Sequence, residues 1–133
     1  MSLITWDSRY EIGLPEIDAE HKVFVSIIQR IEEAVKVEDK ENVIKLIEEL
    51  LKYADFHFCS EENIMIREEY PDYHWHRKLH QRLLVELRDR IQIIKYEYID
   101  FNVLLKFLVA WFKGHTQIED KKFAAYVNKK LSI

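Results

Sequence analysis

Residues 43–64 read VIKLIEELLKYADFHFCSEENI, and the order of their apolar positions decides the fold. Val43, Ile47, Leu50 and Ala54 follow at steps of four, three and four, and His57, Glu61 and Ile64 continue the same steps. This is the period of an α-helix with one face turned to a core. Working outward, Phe24, Ile27, Ile28, Ile31 and Val35 form a stripe of the same period upstream. Downstream lie His76, Leu79, His80, Leu83, Leu87, Ile91 and Ile94, and then, after Tyr98, Phe101, Leu104, Leu108, Trp111 and His115. The chain holds 2 glycines and 2 prolines in 133 residues, too few for the turns of a sheet-rich fold. The expected architecture is all-α, an antiparallel up-down-up-down four-helix bundle over about residues 18–118. An arm (1–17) precedes it and a segment (119–133) adds a short helix, the whole forming one domain over 1–133. Asp18 is the expected N-cap of the first helix, 38–41 a short connection, and Pro71 the break between the second and third helices.

Composition narrows the function. Lys and Arg (20) are interspersed among Asp and Glu (24), and no basic face is set up to track phosphates, so no nucleic-acid partner is expected. The longest apolar run, Phe107 to Phe112, is far too short for a bilayer, and the first ten residues carry charge where a signal peptide would be apolar. Cys59 is the single cysteine, which rules out an internal disulfide and fits a reducing compartment. A cytoplasmic protein without a membrane partner is expected, and a monomer.

The inward stripes carry polar groups that a core ordinarily avoids. His57 and Glu61 are four residues apart, as are His76 and His80, so each pair occupies one helix face a turn apart. With the first helix drawn upward, His21 lies at its bottom. His57 and Glu61 lie low on the descending second helix, His76 and His80 in the first turns of the third, and His115 near the foot of the fourth. At about 1.5 Å of rise per residue, all fall within roughly 5–20 Å of one end of the bundle. Groups from four helices at one level point to metal. A further carboxylate should follow His115. Spacing alone selects Glu119, four residues on, because Asp120 at five is turned about 140° away on a regular helix. Asp120 serves only if the helix distorts, for which Gly114 is the candidate cause.

Taken together, His21, the run His57-Phe58-Cys59-Ser60-Glu61, His76 with His80, and His115 with Asp120 resemble the hemerythrin family. Flanking matches at Trp6-Asp7, Gly13, Ile17-Asp18, Glu62, Met65, Tyr70-Pro71 and Trp111 extend the resemblance from residue 6 to about 126, in its single-domain bacterial form. The resemblance replaces Glu119 with Asp120. It implies two iron ions, one held by His76, His80 and His115 and the other by His21 and His57. Glu61, Asp120 and an oxo or hydroxo group would bridge them. Counting donors leaves the two-histidine iron one position open, where O₂ would bind reversibly as peroxide, for storage, delivery or scavenging. Phe24, Phe58, Trp111, Phe112 and Thr116 are the implied walls of the O₂ pocket. Thr116 stands where the family usually has Ile, and Phe112 where Leu is commoner, so affinity and autoxidation should differ from the family pattern.

Two other readings compete. A di-iron redox enzyme of the ferritin-like kind uses Glu-x-x-His motifs, and no glutamate here precedes a histidine by three. An O₂-sensing module would carry a signalling domain or anchor, which this sequence does not contain. A carrier rather than an enzyme is therefore expected. His74 is read as a surface residue, Cys59 as packing, Glu62 as a solvated or supporting neighbour of Glu61, and Asp18 as a possible support for His21.

Overall fold

A computed structural model describes residues 3–96 and 100–131. Tyr98, the end of the third connection in the sequence reading, lies outside the described residues, as do the extremes of the arm and tail. Four main helices run α1 (Pro15–Lys36), α2 (Lys40–Arg67), α3 (Tyr73–Tyr96) and α4 (Phe101–Gly114). α4 leads without interruption through a π-helical turn (His115–Asp120) into α5 (Lys121–Leu131). α1 packs on α2 and α4, and α2 packs on α3. Large side chains close the α3–α4 seam: Trp111 Nε1 donates to Leu83 O at 3.3 Å, and the Arg90 guanidinium sits 4.3 Å from the Phe107 ring centroid.

The first helix begins three residues before the expected cap. Pro15 occupies its first turn, where a missing N–H costs nothing, and Leu14 precedes it in extended conformation without a side-chain cap. Asp18 is thus inside the helix. Its carboxylate reaches back to accept from Ile12 N at 2.7 Å and Gly13 N at 3.3 Å, so it ties the arm to α1 and does not support His21. Gly13 has φ +92, and a Cβ there would lie 2.9 Å from Asn128 Nδ2. The other starts are conventional, with Asp39 capping Asn42 N at 3.2 Å and Asp100 capping Asn102 N at 2.8 Å. Pro71 falls in the connection between α2 and α3.

The arm is also more ordered than its lack of periodicity suggests. A 3₁₀ turn at Ser8–Tyr10 buries Tyr10 against Phe112, with ring centroids 5.5 Å apart. Two apolar clusters result. The larger joins Phe24, Ile28, Ile31, Ile47, Leu50, Leu87, Ile94, Leu104 and Leu108 through the bundle. The smaller joins Ile12, Ile17, Ile64, Met65, Phe123, Ala124 and Val127 at one end. Burying each such side chain contributes about 1.5–3 kcal/mol. α5 closes that end, where the Tyr126 hydroxyl lies 2.9 Å from Glu68 O and Lys130 Nζ donates to the same carbonyl at 2.9 Å. These bonds satisfy carbonyls that the end of α2 would otherwise leave open.

Candidate metal centre

Seven polar side chains meet between the two apolar clusters. His21 comes from α1, His57 and Glu61 from α2, His76 and His80 from α3, and His115 and Asp120 from the π turn; all are nearly or fully buried. The π turn brings the last two together. In such a turn the backbone bonds reach five residues instead of four, so Asp120 comes to the face of His115, with Oδ1 2.9 Å from His115 Nε2. Glu119, favoured by α-helical spacing, is left partly exposed on the outside. Gly114 is not the cause: it has ordinary helical angles of φ −59 and ψ −48, and a side chain there would meet open space.

Two donor sets can be drawn, each with its ligand atoms within 4.8 Å of one another: Glu61, His76, His80, His115 and Asp120 form one, and His21, His57, Glu61 and Asp120 the other. Glu61 lies 2.9 Å from His76 Nε2 and 3.1 Å from His80 Nε2 through Oε1, and 3.5 Å from His57 Nε2 through Oε2. Asp120 lies 3.1 Å from His21 Nε2 and 3.4 Å from His76 Nε2. Both carboxylates therefore face both sets of imidazoles.

Burial alone would raise both carboxyls, as would their mutual repulsion at Glu61. The surrounding imidazoles outweigh this and hold Glu61 and Asp120 below the usual carboxylate range. The converse holds for the histidines. Burial depresses His21, His76 and His115, yet Asp120 and Glu61 raise all three, His115 to about 10.

The buried atoms nonetheless fit metal better than protons. His21 Nδ1 and Nε2, Glu61 Oε2, His76 Nε2, His115 Nδ1 and both oxygens of Asp120 have no hydrogen-bond partner among the described residues. Several sit within ion-pair reach of each other without the angles a hydrogen bond needs. Buried polar atoms left so cost about 1–3 kcal/mol each. His21 Nε2, His76 Nε2, Glu61 Oε2 and the Asp120 oxygens turn into the cluster, where a cation would satisfy them, whereas His21 Nδ1 and His115 Nδ1 lie on the outer side of their rings. Mixed imidazole and carboxylate donors suit iron, with manganese and zinc as chemical alternatives.

Two of the candidate donors are braced from outside the set. His57 Nδ1 lies 2.7 Å from Glu20 Oε1, and His80 Nδ1 lies 2.8 Å from Glu62 Oε2. Glu62 thus supports His80, not Glu61 as the sequence reading had it; Glu20 was not anticipated, since it reaches its partner across a helix pair. Phe58 stacks on the His80 ring at 4.0 Å and 8°. Beside the smaller donor set is a cavity lined by Phe24, Phe58, Leu83, Trp111, Phe112 and Thr116, together with His21, His57, His115 and Asp120. The cavity is small, about 10 Å³, at the lower limit for one water-sized molecule. Leu83 is the wall residue that sequence reasoning missed. His74 is exposed, and so is Cys59, which faces solvent instead of packing.

A buried, nitrogen-rich donor cluster drawn from all four helices of an up-down bundle defines a bundle metalloprotein. The family model described as Hemerythrin HHE cation binding domain matches residues 13–127, and the chain belongs to the hemerythrin family. Bacteriohemerythrin of Clostridium acetobutylicum is 27% identical over 127 residues, covering 91% of this chain and 98% of that one. Myohemerythrin of Theromyzon tessulatum is 28% identical over 119 residues, covering 89% and 88%. A solved wild-type hemerythrin superposes with a TM-score of 0.84 at 20% identity, covering 93% of this chain and 97% of that one, a likeness of fold. The cluster is a metal-binding site whose donors are consistent with iron. Among the described residues no helix is long and apolar enough to cross a membrane.

Proposed function

We propose that this chain binds O₂ reversibly at a pair of iron ions, for storage, delivery or scavenging. His76, His80 and His115 would hold one iron and His21 and His57 the other, with Glu61, Asp120 and an oxo or hydroxo group shared between them. When bound, a ferrous pair held by these residues would supply reversible two-electron redox chemistry toward O₂. The observation that carries the reading is the unequal pair of donor sets, four protein side chains in one and five in the other, with both histidines of the smaller set lining the cavity and only His115 of the three in the larger. On this reading the set with fewer protein donors, which contributes more of the cavity wall, would keep a position for a small molecule.

The chain's own residues favour binding over further reaction. Phe24, Phe58, Leu83, Trp111 and Phe112 exclude water from the cavity, which slows loss of a charged ligand and access of protons. Thr116 brings a hydroxyl into the same wall. The decisive experiment loads the protein with ferrous iron under argon, admits air, and records the visible spectrum through repeated deoxygenation. A band that appears in air and disappears under argon over several cycles is expected. Bleaching in the first cycle, or a preparation that holds no iron, would overturn the proposal.

A further inference from the structure

The two braced histidines divide one to each donor set, and their braces are not equivalent. His57 belongs to the smaller set and is 1% exposed. Its Nδ1 meets Glu20 Oε1 at 2.7 Å while its Nε2 turns toward Glu61. A carboxylate accepts and does not donate, so Glu20 favours a proton on His57 Nδ1, the tautomer that would leave the Nε2 lone pair for a metal. Glu20 is itself held in place. Ser60 Oγ donates to its other oxygen at 2.9 Å, and the Tyr53 hydroxyl donates to its backbone carbonyl at 3.0 Å. His80, in the larger set, has Glu62 in the corresponding role, but Glu62 also faces Arg77 Nε at 3.7 Å, which offsets its charge. Glu20 has a neutral hydroxyl in that place. Among the described residues, the other histidine of the smaller set, His21, has no hydrogen-bond partner for its Nδ1. Carboxylate backing for the smaller set therefore comes through His57.

Resting on the function proposed above, we infer that Glu20 is a positioning residue that fixes the His57 tautomer and makes this imidazole the more strongly donating of the two braced ligands. Added electron density on the smaller set stabilises the ferric state and so tightens O₂ binding. Ser60 keeps the carboxylate in register, and Glu62 has the same role on the larger set with less effect. Removal of such an outer partner typically changes metal affinity or activity by about 10–100-fold.

The test separates charge from shape. Glu20→Gln retains an oxygen to accept the Nδ1 proton and removes the charge; Glu62→Gln does the same on the other side. Loaded with iron, Glu20→Gln should keep the wild-type metal content, raise the O₂ pressure for half saturation about tenfold and raise the ferric/ferrous midpoint potential. Glu62→Gln should shift both by less. Unchanged affinity and potential in Glu20→Gln, or an equal or larger shift in Glu62→Gln, would overturn the inference. A second arm needs neither iron nor O₂. Zinc-loaded wild type with ¹⁵N-labelled histidine should give NMR signals of an Nδ1-protonated His57 whose proton exchanges slowly with water. An Nε2-protonated ring, or a fast-exchanging Nδ1 proton, would overturn the role of Glu20 even if O₂ binding itself had failed.

Discussion

Asp120→Asn removes one charge from a fully buried position that three imidazoles share. The carboxylate lies 2.9 Å from His115 Nε2, 3.1 Å from His21 Nε2 and 3.4 Å from His76 Nε2, and it raises the pKa of all three. Breaking a buried pair from one side costs about 3–5 kcal/mol, against a typical total stability of about 5–15 kcal/mol. For a chain of this size that lowers the melting temperature on the order of 10 °C. Glu119→Gln, on the outer face of the same turn, should stay within about 0.5 kcal/mol of the wild type. The assay is thermal unfolding by far-ultraviolet circular dichroism at pH 7 after chelation, paired with elemental analysis of iron per chain after anaerobic loading. Asp120→Asn should melt early and load less iron, and Glu119→Gln should do neither. If Glu119→Gln proved the more damaging, or Asp120→Asn melted within about 2 °C of the wild type, the role given to the π turn would be wrong.

Three further outcomes are expected. Thr116→Ile, which replaces a hydroxyl in the cavity wall by an aliphatic chain, should slow autoxidation, followed as the loss of reversible O₂ binding in air; an unchanged or faster rate counts against it. The metal-stripped protein should be most stable between about pH 5 and 7. The raised pKa values of His21, His76 and His115 give stability that is complete below the unfolded value near 6.5. It is lost as pH rises through the folded values, about 10 for His115, while the lowered carboxyls lose theirs only in acid. A melting temperature that stays flat from pH 7 to 10 would contradict this. Gly13→Ala should destabilise the fold by about 1 kcal/mol or more in urea titrations, since φ +92 suits glycine and the new methyl would push on Asn128.

The helices were legible because a 3.6-residue period survives in sequence wherever one face is buried. The stripe from Val43 to Ile64 is the inner face of α2, and it carried His57 and Glu61 with it. Where reading failed, the missing information was not periodic. Asp18 has the chemistry of a cap, but Pro15 starts the helix earlier, and Asp18 spends its carboxylate on the arm instead. Asp120 was reachable through family resemblance and not through spacing, because a π turn breaks the rule from which spacing arguments are built. The expected end of the bundle near residue 118 falls inside that turn, so the short tail helix is a continuation of α4. Glu20 contacts a residue 37 positions away, a pairing that exists only after α1 and α2 have docked.

The donor cluster lies between a large apolar core and a small one, and this makes the metal layer a mechanical joint as well as a binding site. The small core contains seven buried residues, too few to hold its end of the molecule unaided, and three of them come from α5. Loading the layer would tie the π turn, which α5 continues, to α1, α2 and α3 through the donors grouped there. Emptying it leaves the two cores joined across buried carboxylates and imidazoles, of which His21, His76 and His115 lose their stabilising charge as pH rises. The end formed by α5 is then the first part of the molecule to open, and amide exchange at Phe123, Ala124 and Val127 would register the loss of metal before the far end of the bundle does.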